Sequence, residues 1–239
     1  GGNAADVLNE TNIELNGDNP QIVFGGSNSS GNVRQSNINL QGSNVETIYG
    51  GNNLGGSLET SNINAITGTA ATIYGGGKKA VTNETNVNIQ GATITNVFGG
   101  GEEANITTKT NINLTSGNCG NIYGGSNTLG NVPLTDINIT GGVVNTIYGG
   151  NNLGGIVTKS DIDVTDGTIN TIYGGGNEAV ATESDILIKD ITNEIENVFG
   201  GGNKADVTTT QINVENSKIN NLYGGSNSSG TVEQTNINV

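Results

Sequence analysis

A Gly-Gly pair returns along the whole chain, at Gly1, Gly25, Gly50, Gly75, Gly99, Gly124, Gly149, Gly174, Gly200 and Gly224. The spacings run from 24 to 26 residues. A fixed period of this length belongs to architectures whose units cannot bury an apolar face alone and must stack on their neighbours. A second period is nested in the first. The units at Gly25, Gly124 and Gly224 open GGSN, and those at Gly50 and Gly149 open GGNNLGG. Those at Gly75 and Gly174 open GGG and soon reach Ala-Val. Those at Gly99 and Gly200 open GGG and carry Ala, then an aliphatic residue two positions on. Four units thus form a larger block of about 100 residues, which we read as the product of duplication and without chemistry of its own.

Local patterning selects strands. Thr11-Asn12-Ile13-Glu14-Leu15, Thr85-Asn86-Val87-Asn88-Ile89 and Thr235-Asn236-Ile237-Asn238-Val239 alternate polar and β-branched residues, as half-buried strands do. Asn is a poor helix former, and a recurring Gly-Gly would break any helix pair. Each unit reads as three short strands: one around Val33, Val81 or Val132, one in the Thr-x-Ile-x-Ile stretch, and one ending in Ile-Tyr or Val-Phe. Only repeated parallel stacking buries strands this short. The expected fold is all-β: a single-domain parallel β-helix over 1–239, about ten coils of 24–26 residues with three short strands per coil. Crossovers between parallel strands predict right-handed winding, and strand spacing predicts a rise of about 4.8 Å per coil. Ile38, Ile63, Val87, Ile112 and their successors form an inward ladder. The column Thr11, Ser36, Thr85, Thr110, Thr135, Ser160, Ser184, Thr210 and Thr235 is expected inward at a corner, with hydroxyls bonded to backbone. Cys119 falls in an aliphatic column with Val45, Ile94 and Val144 and reads as a small buried hydrophobe.

Composition removes several functions. There is no His, so no imidazole base, His-based triad or ordinary zinc site. The single Cys permits no internal disulfide. Eight basic side chains stand against 22 acidic ones, a net charge of −14, which argues against nucleic acid and anionic membranes as partners. No stretch of about 18 apolar residues occurs, so no membrane insertion is expected.

In a solenoid, function is sought in columns. All nine aromatic residues fill the slot before Gly-Gly: Phe24, Tyr49, Tyr74, Phe98, Tyr123, Tyr148, Tyr173, Phe199 and Tyr223. They read as a structural stack beside the turn. Alternatively, Tyr49, Tyr74, Tyr123, Tyr148, Tyr173 and Tyr223 form an exposed platform for sugar rings. The flanking Ile48, Ile73 and Val97 compete for the same interior, so parity leaves the facing open. Two outward columns, Asn12 to Asn236 and Glu14 to Asn238, read as amide ladders bonded along the axis. Asp136, Asp161 and Asp185 interrupt the first and Asp163 the second. Stacked like charges repel unless a cation intervenes, so these four are the candidate ligands for a metal, Ca²⁺ being favoured for its preference for oxygen. Lys159 is close enough in sequence to relieve part of the repulsion. The Gly-Gly-x-Asn corners read as turn chemistry, glycine supplying positive φ. They lack the Asp of calcium-binding nonapeptides and the Lys-Ser/Thr ending of a phosphate loop.

The phrase Thr168-Ile169-Asn170-Thr171-Ile172-Tyr173-Gly174-Gly175-Gly176-Asn177 resembles the Gly- and Asn-rich arrays of large secreted or wall-attached proteins of Gram-positive anaerobes. The resemblance extends over every coil and implies a bacterial cell-surface, extracellular, adhesin-like module of the pectate-lyase-like β-helix class. It is also similar in coil length to β-helical polysaccharide lyases and hydrolases. Their catalytic Arg, Lys or carboxylates rise from long irregular loops, whereas here no loop escapes the repeat by more than a residue or two and Arg34 is the only Arg. The leading expectation is a non-enzymatic structural module, a fragment of a longer array without end caps and open to end-to-end self-association. The alternative is a carbohydrate-binding module for polysaccharide or host glycan, with Ca²⁺ as its candidate cofactor. A lyase or glycosidase built on Asp161 and Asp185 would need a groove that the regular coils do not suggest.

Overall fold

Residues 2–239 are described by a computed structural model; Gly1, which opens the first repeat, lies outside them. The strands are β1 (Val7–Asn16), β2 (Ile22–Phe24), β3 (Asn32–Tyr49), β4 (Ser57–Tyr74), β5 (Val81–Phe98), β6 (Ile106–Tyr123), β7 (Val132–Tyr148), β8 (Val157–Tyr173), β9 (Ala181–Lys189), β10 (Ile195–Phe199), β11 (Val207–Glu215), β12 (Ile219–Tyr223) and β13 (Val232–Asn238). They form one continuous sheet in the order β1-β3-β4-β5-β6-β7-β8-β9-β11-β13, with β2, β10 and β12 completing individual coils. Every pairing is parallel. The chain is a β-solenoid of about nine turns.

The three segments expected in each coil join into one strand of 17 or 18 residues in β3 to β8. The corners survive only as skips in the pairing, at Arg34 and after Gln41 in β3. Neighbouring coils bend at the same place, so the inter-coil hydrogen bonds carry around each bend. In the next coils the second corner has no glycine. Asp190 (φ 58°) and Asn216 (φ 44°) take the left-handed conformation instead, and there the strand divides into β9/β10 and β11/β12.

The aliphatic ladder lies inside, with Ile38, Ile63, Val87, Ile112, Ile137, Ile162, Ile186 and Ile212 all fully buried. Cys119 pairs in register with Ile94 and Val144 and belongs to this core, where burial raises its thiol to about 12. The corner hydroxyls divide into two sets, and Ser160, which donates to the Gly174 carbonyl, goes with the threonines. Thr85, Thr110 and Thr135 donate to Gly99, Gly124 and Gly149 carbonyls at 2.6–2.7 Å. Ser36 and Ser184 depart from the expected bond, as does Ser61 in register with Ser36, their buried hydroxyls having no partner. A serine lacks the methyl that restricts threonine's χ1, and these three turn toward the neighbouring glycine instead.

The Gly-Gly pairs correct the positive-φ reading. Left-handed glycines occur at other sites, such as Gly31 and Gly56 at loop exits and Gly42 and Gly68 at the second corner, while the pairs are absent from that set. The pairs are needed for space. A Cβ on Gly50 would run into the Gly75 carbonyl and the Ser61 hydroxyl, and the same clash recurs at Gly75, Gly99, Gly124 and Gly149. Here the coils hydrogen-bond through the loops, Gly50 N to Tyr74 O at 2.9 Å and Gly51 N to Gly76 O at 3.1 Å.

The four-coil block also carries packing. Asn52 and Asn151 are fully buried in the loops. Their carboxamides accept from Ser27 N and Ser126 N at 2.8 and 2.6 Å and donate to Gly31 O and Gly130 O at 2.9 and 2.8 Å. In the other two coils of each block glycine (Gly77, Gly101, Gly176, Gly202) takes that place and Ala80, Ala104, Ala179 and Ala205 are buried beside it. A charged pair on the rim is kept with its signs exchanged: Lys79–Glu103 at 3.1 Å in one block, Glu178–Lys204 at 2.9 Å in the next.

Thermal unfolding separates the two kinds of glycine. Gly75→Ala forces backbone apart and is expected to destabilise by about 2–3 kcal/mol. Gly17→Ala has open space around the new methyl but retains φ +88°, and is expected to lose about 1 kcal/mol. Equal losses would refute the close-approach role.

Candidate functional site

The aromatic column is a continuous stack. Successive ring centroids from Phe24 to Tyr223 lie 4.6–5.0 Å apart with interplanar angles of 3–13°. These centroid distances also match the strand spacing that sets the coil rise. Both residues of the Ile48-Tyr49, Ile73-Tyr74, Ile122-Tyr123 and Ile172-Tyr173 pairs are buried, on opposite sides of the strand. Ile48, Ile73 and Ile122 join the central core, while Tyr49, Tyr74, Phe98 and Tyr123 form a second cluster with Phe24 and Tyr148. Parity could not choose a facing because both sides are covered.

Loops from two coils further along meet the phenol groups. The Tyr49 hydroxyl donates to the Glu102 carboxylate. Asn127 Nδ2 donates to the Tyr74 oxygen at 2.9 Å, and Asn227 Nδ2 to the Tyr173 oxygen at 3.1 Å. Burial raises the phenol of Tyr49, with the Glu102 carboxylate adding to the effect. Burial also brings Tyr74 up to about 12 and raises Tyr123, Tyr148 and Tyr173. Of the six candidate platform residues, Tyr49, Tyr74, Tyr123 and Tyr173 are buried, Tyr148 is partly buried and Tyr223 is half exposed. The ring faces are occupied by one another along the axis.

The outward amide columns are hydrogen-bonded ladders. Asn37, Asn62, Asn86 and Asn111 each donate to the preceding coil at 2.7–3.0 Å. Beside them Asn39, Asn64, Asn88 and Asn113 do the same at 2.7–3.0 Å, starting on Glu14. Sequence reading missed a third ladder on the loops, Asn127-Asn152-Asn177-Asn203-Asn227 at 2.8–3.0 Å. Its signal was present, an Asn at the fourth position of each of these units.

Where the two face ladders reach the aspartates they stop, because a carboxylate has no N–H to pass on. Asp136, Asp161 and Asp185 are in register on adjacent coils, as are Asn138 and Asp163. Asn138 turns aside to donate to Asp136 at 2.7 Å. Lys159 Nζ lies 3.2 Å from Asp161, and that bond raises the lysine's pKa. Burial, then the Asp161, Asp136 and Asp185 charges, raises the Asp163 carboxyl, and burial followed by Asp161 raises Asp185. The four aspartates share one face, but among the described residues no group of three or more His, Cys, Asp or Glu is gathered to hold a metal ion. The nearby cation is Lys159. Among the described residues, no helix is long and apolar enough to cross a membrane. Comparison with protein-family models, with curated proteins and with solved structures finds no match for the chain.

The raised carboxyls give a pH test. A carboxyl whose folded pKa exceeds its unfolded value binds protons more tightly when folded, so stability falls as pH rises through that folded value. Asp163→Asn removes the charge and restores a donor in register with Asn138. At pH 7 it is expected to stabilise by roughly 0.2–1 kcal/mol, a rise in Tm of about 1–3 °C. The gain shrinks near pH 3, where the wild-type carboxyl is neutral. A loss of Tm at pH 7 would contradict the reading.

Proposed function

We propose that the chain is a non-enzymatic structural module of an extracellular, cell-surface protein, one that spaces other modules or presents its sides to partners. One observation carries the reading. The asparagines of the face and loop ladders bond to their equivalents one coil away, and Tyr74 and Tyr173 bond to loop asparagines two coils away, rather than converging on a cleft. Such an arrangement gives stiffness and a fixed rise per coil, which is what a spacer requires. The resemblance of the Gly- and Asn-rich repeats to wall-attached arrays of Gram-positive anaerobes supports the cell-surface setting.

Surface labelling of intact source cells tests the location: antibody against the solenoid binds before lysis in this reading, and binding only after lysis overturns it. Incubation with uronate-containing and neutral polysaccharides tests the chemistry, with no release of reducing ends expected. The runner-up is a glycan-binding module dependent on Ca²⁺. Millimolar CaCl₂ is expected to leave Tm unchanged, because binding to the native state would raise it. A rise that Asp161→Asn abolishes would replace the structural reading with the ligand-binding one.

A further inference from the structure

The two face ladders enclose a field of uncharged amides. It covers four coils, Asn37 to Asn113, in the columns that begin at Gln35, Asn37, Asn39 and Gln41. Its only ionised side chains, Glu84 and Lys109, lie 3.9 Å apart and cancel. Carboxylates bound it on both sides. Glu10 and Glu14 lie on the coil before, and Asp136, Asp161, Asp163 and Asp185 on the coils after. On a chain of net charge −14 this field is a place where a second molecule of the same charge can approach without direct repulsion.

We propose that this amide field is a lateral contact surface for a second copy of the chain, kept weak by the carboxylates that bracket it. Three arguments select that occupant. The carboxamides of Asn62, Asn64, Asn86 and Asn88 each use one N–H along the axis and retain another N–H and acceptor capacity on the carbonyl, so the surface is complementary to itself. A second copy has the same rise per coil, and its amides therefore stay in step across the whole contact, as identical side chains do in cross-β zippers. An antiparallel pair about a two-fold axis lays neutral field on neutral field and sets the Asp136 coil of each copy against the Glu10 and Glu14 coil of the other, which keeps the contact weak. The area is small. Four coils at about 4.8 Å and six residues at about 3.3 Å give about 400 Å² per copy, half the roughly 800 Å² of a stable interface. The bracketing charges confine the contact to that size. Their position is costly to the fold itself, since Asp163 and Asp185 sit beside like charges, and restricting association is a role that charged residues serve on exposed β surfaces.

Sedimentation of the intact chain tests this. The wild type is expected to be monomeric at micromolar concentration, and the combined Asp136→Asn, Asp161→Asn, Asp163→Asn and Asp185→Asn variant to associate at least tenfold more tightly. Far-UV circular dichroism and Tm establish that the variant is folded. Should the fourfold variant fail to fold, Asp161→Asn with Asp163→Asn alone is expected to shift association the same way. Adding Asn62→Lys and Asn86→Lys to the associating variant is expected to return it to monomer. A folded variant that remains monomeric up to millimolar concentration, or an association indifferent to lysines at 62 and 86, overturns the proposal.

Discussion

Contact between backbones of successive coils sets every other distance in this molecule. The rings stack at 4.6–5.0 Å and the amides bond at 2.7–3.0 Å because equivalent atoms recur at one strand spacing. That spacing is ordinary within a sheet and unusual through a loop, where side chains normally hold neighbouring chains apart. The Gly-Gly pairs remove the obstacle. With no Cβ at Gly50 or Gly75, the loop backbones hydrogen-bond coil to coil as the strands do, and the stack closes around its circumference. The aliphatic core then supplies burial along the axis, while the glycine column supplies the geometry that permits it.

Much of this was legible in the sequence, because a solenoid writes its structure as a period. The Gly-Gly interval gave coil length, the Thr-x-Ile-x-Ile alternation gave strands and the inward ladder, and the lone Cys119 was readable from its column. The misreadings have physical causes. Glycine at a corner suggests positive φ, yet here the pairs serve close approach and the left-handed conformation falls on Gly31, Gly42 and, without glycine, on Asp190 and Asn216. Alternation assigns one buried side to a strand, and the Ile48–Tyr49 step has two because a loop covers the ring side. The expected strand breaks are absent from β3 to β8, where neighbouring coils bend together.

The four-coil block illustrates how duplication acquires structural content. Ser27 with Asn52, and Ser126 with Asn151, fill the loop interior through buried hydrogen bonds. The intervening coils fill it with glycine and alanine. Neither choice is independent of its neighbours, since a Cβ on Gly77 would come within 2.6 Å of the Asn52 carbonyl and one on Gly176 within 2.5 Å of the Asn151 carbonyl. The reversal of Lys79–Glu103 into Glu178–Lys204 shows what is retained at the rim. The contact persists while the identity of each charge does not. Exposed pairs of this kind contribute little stability, so their meaning lies in the spacing they occupy.

The functional proposal follows from the same physics: polar groups that satisfy one another along an axis leave few to converge on a substrate. Native-state hydrogen exchange tests the underlying claim most directly, because it reads the opening free energy of each amide. If the coils are joined through their loops, the amides of Gly50, Gly51, Gly75 and Gly76 exchange as slowly as those of Ile63 and Val87 in the core strands. Exchange at the fast rates of open loops, with the strands still protected, would show that the glycine column is ordinary turn backbone and that the solenoid is held by its aliphatic core alone.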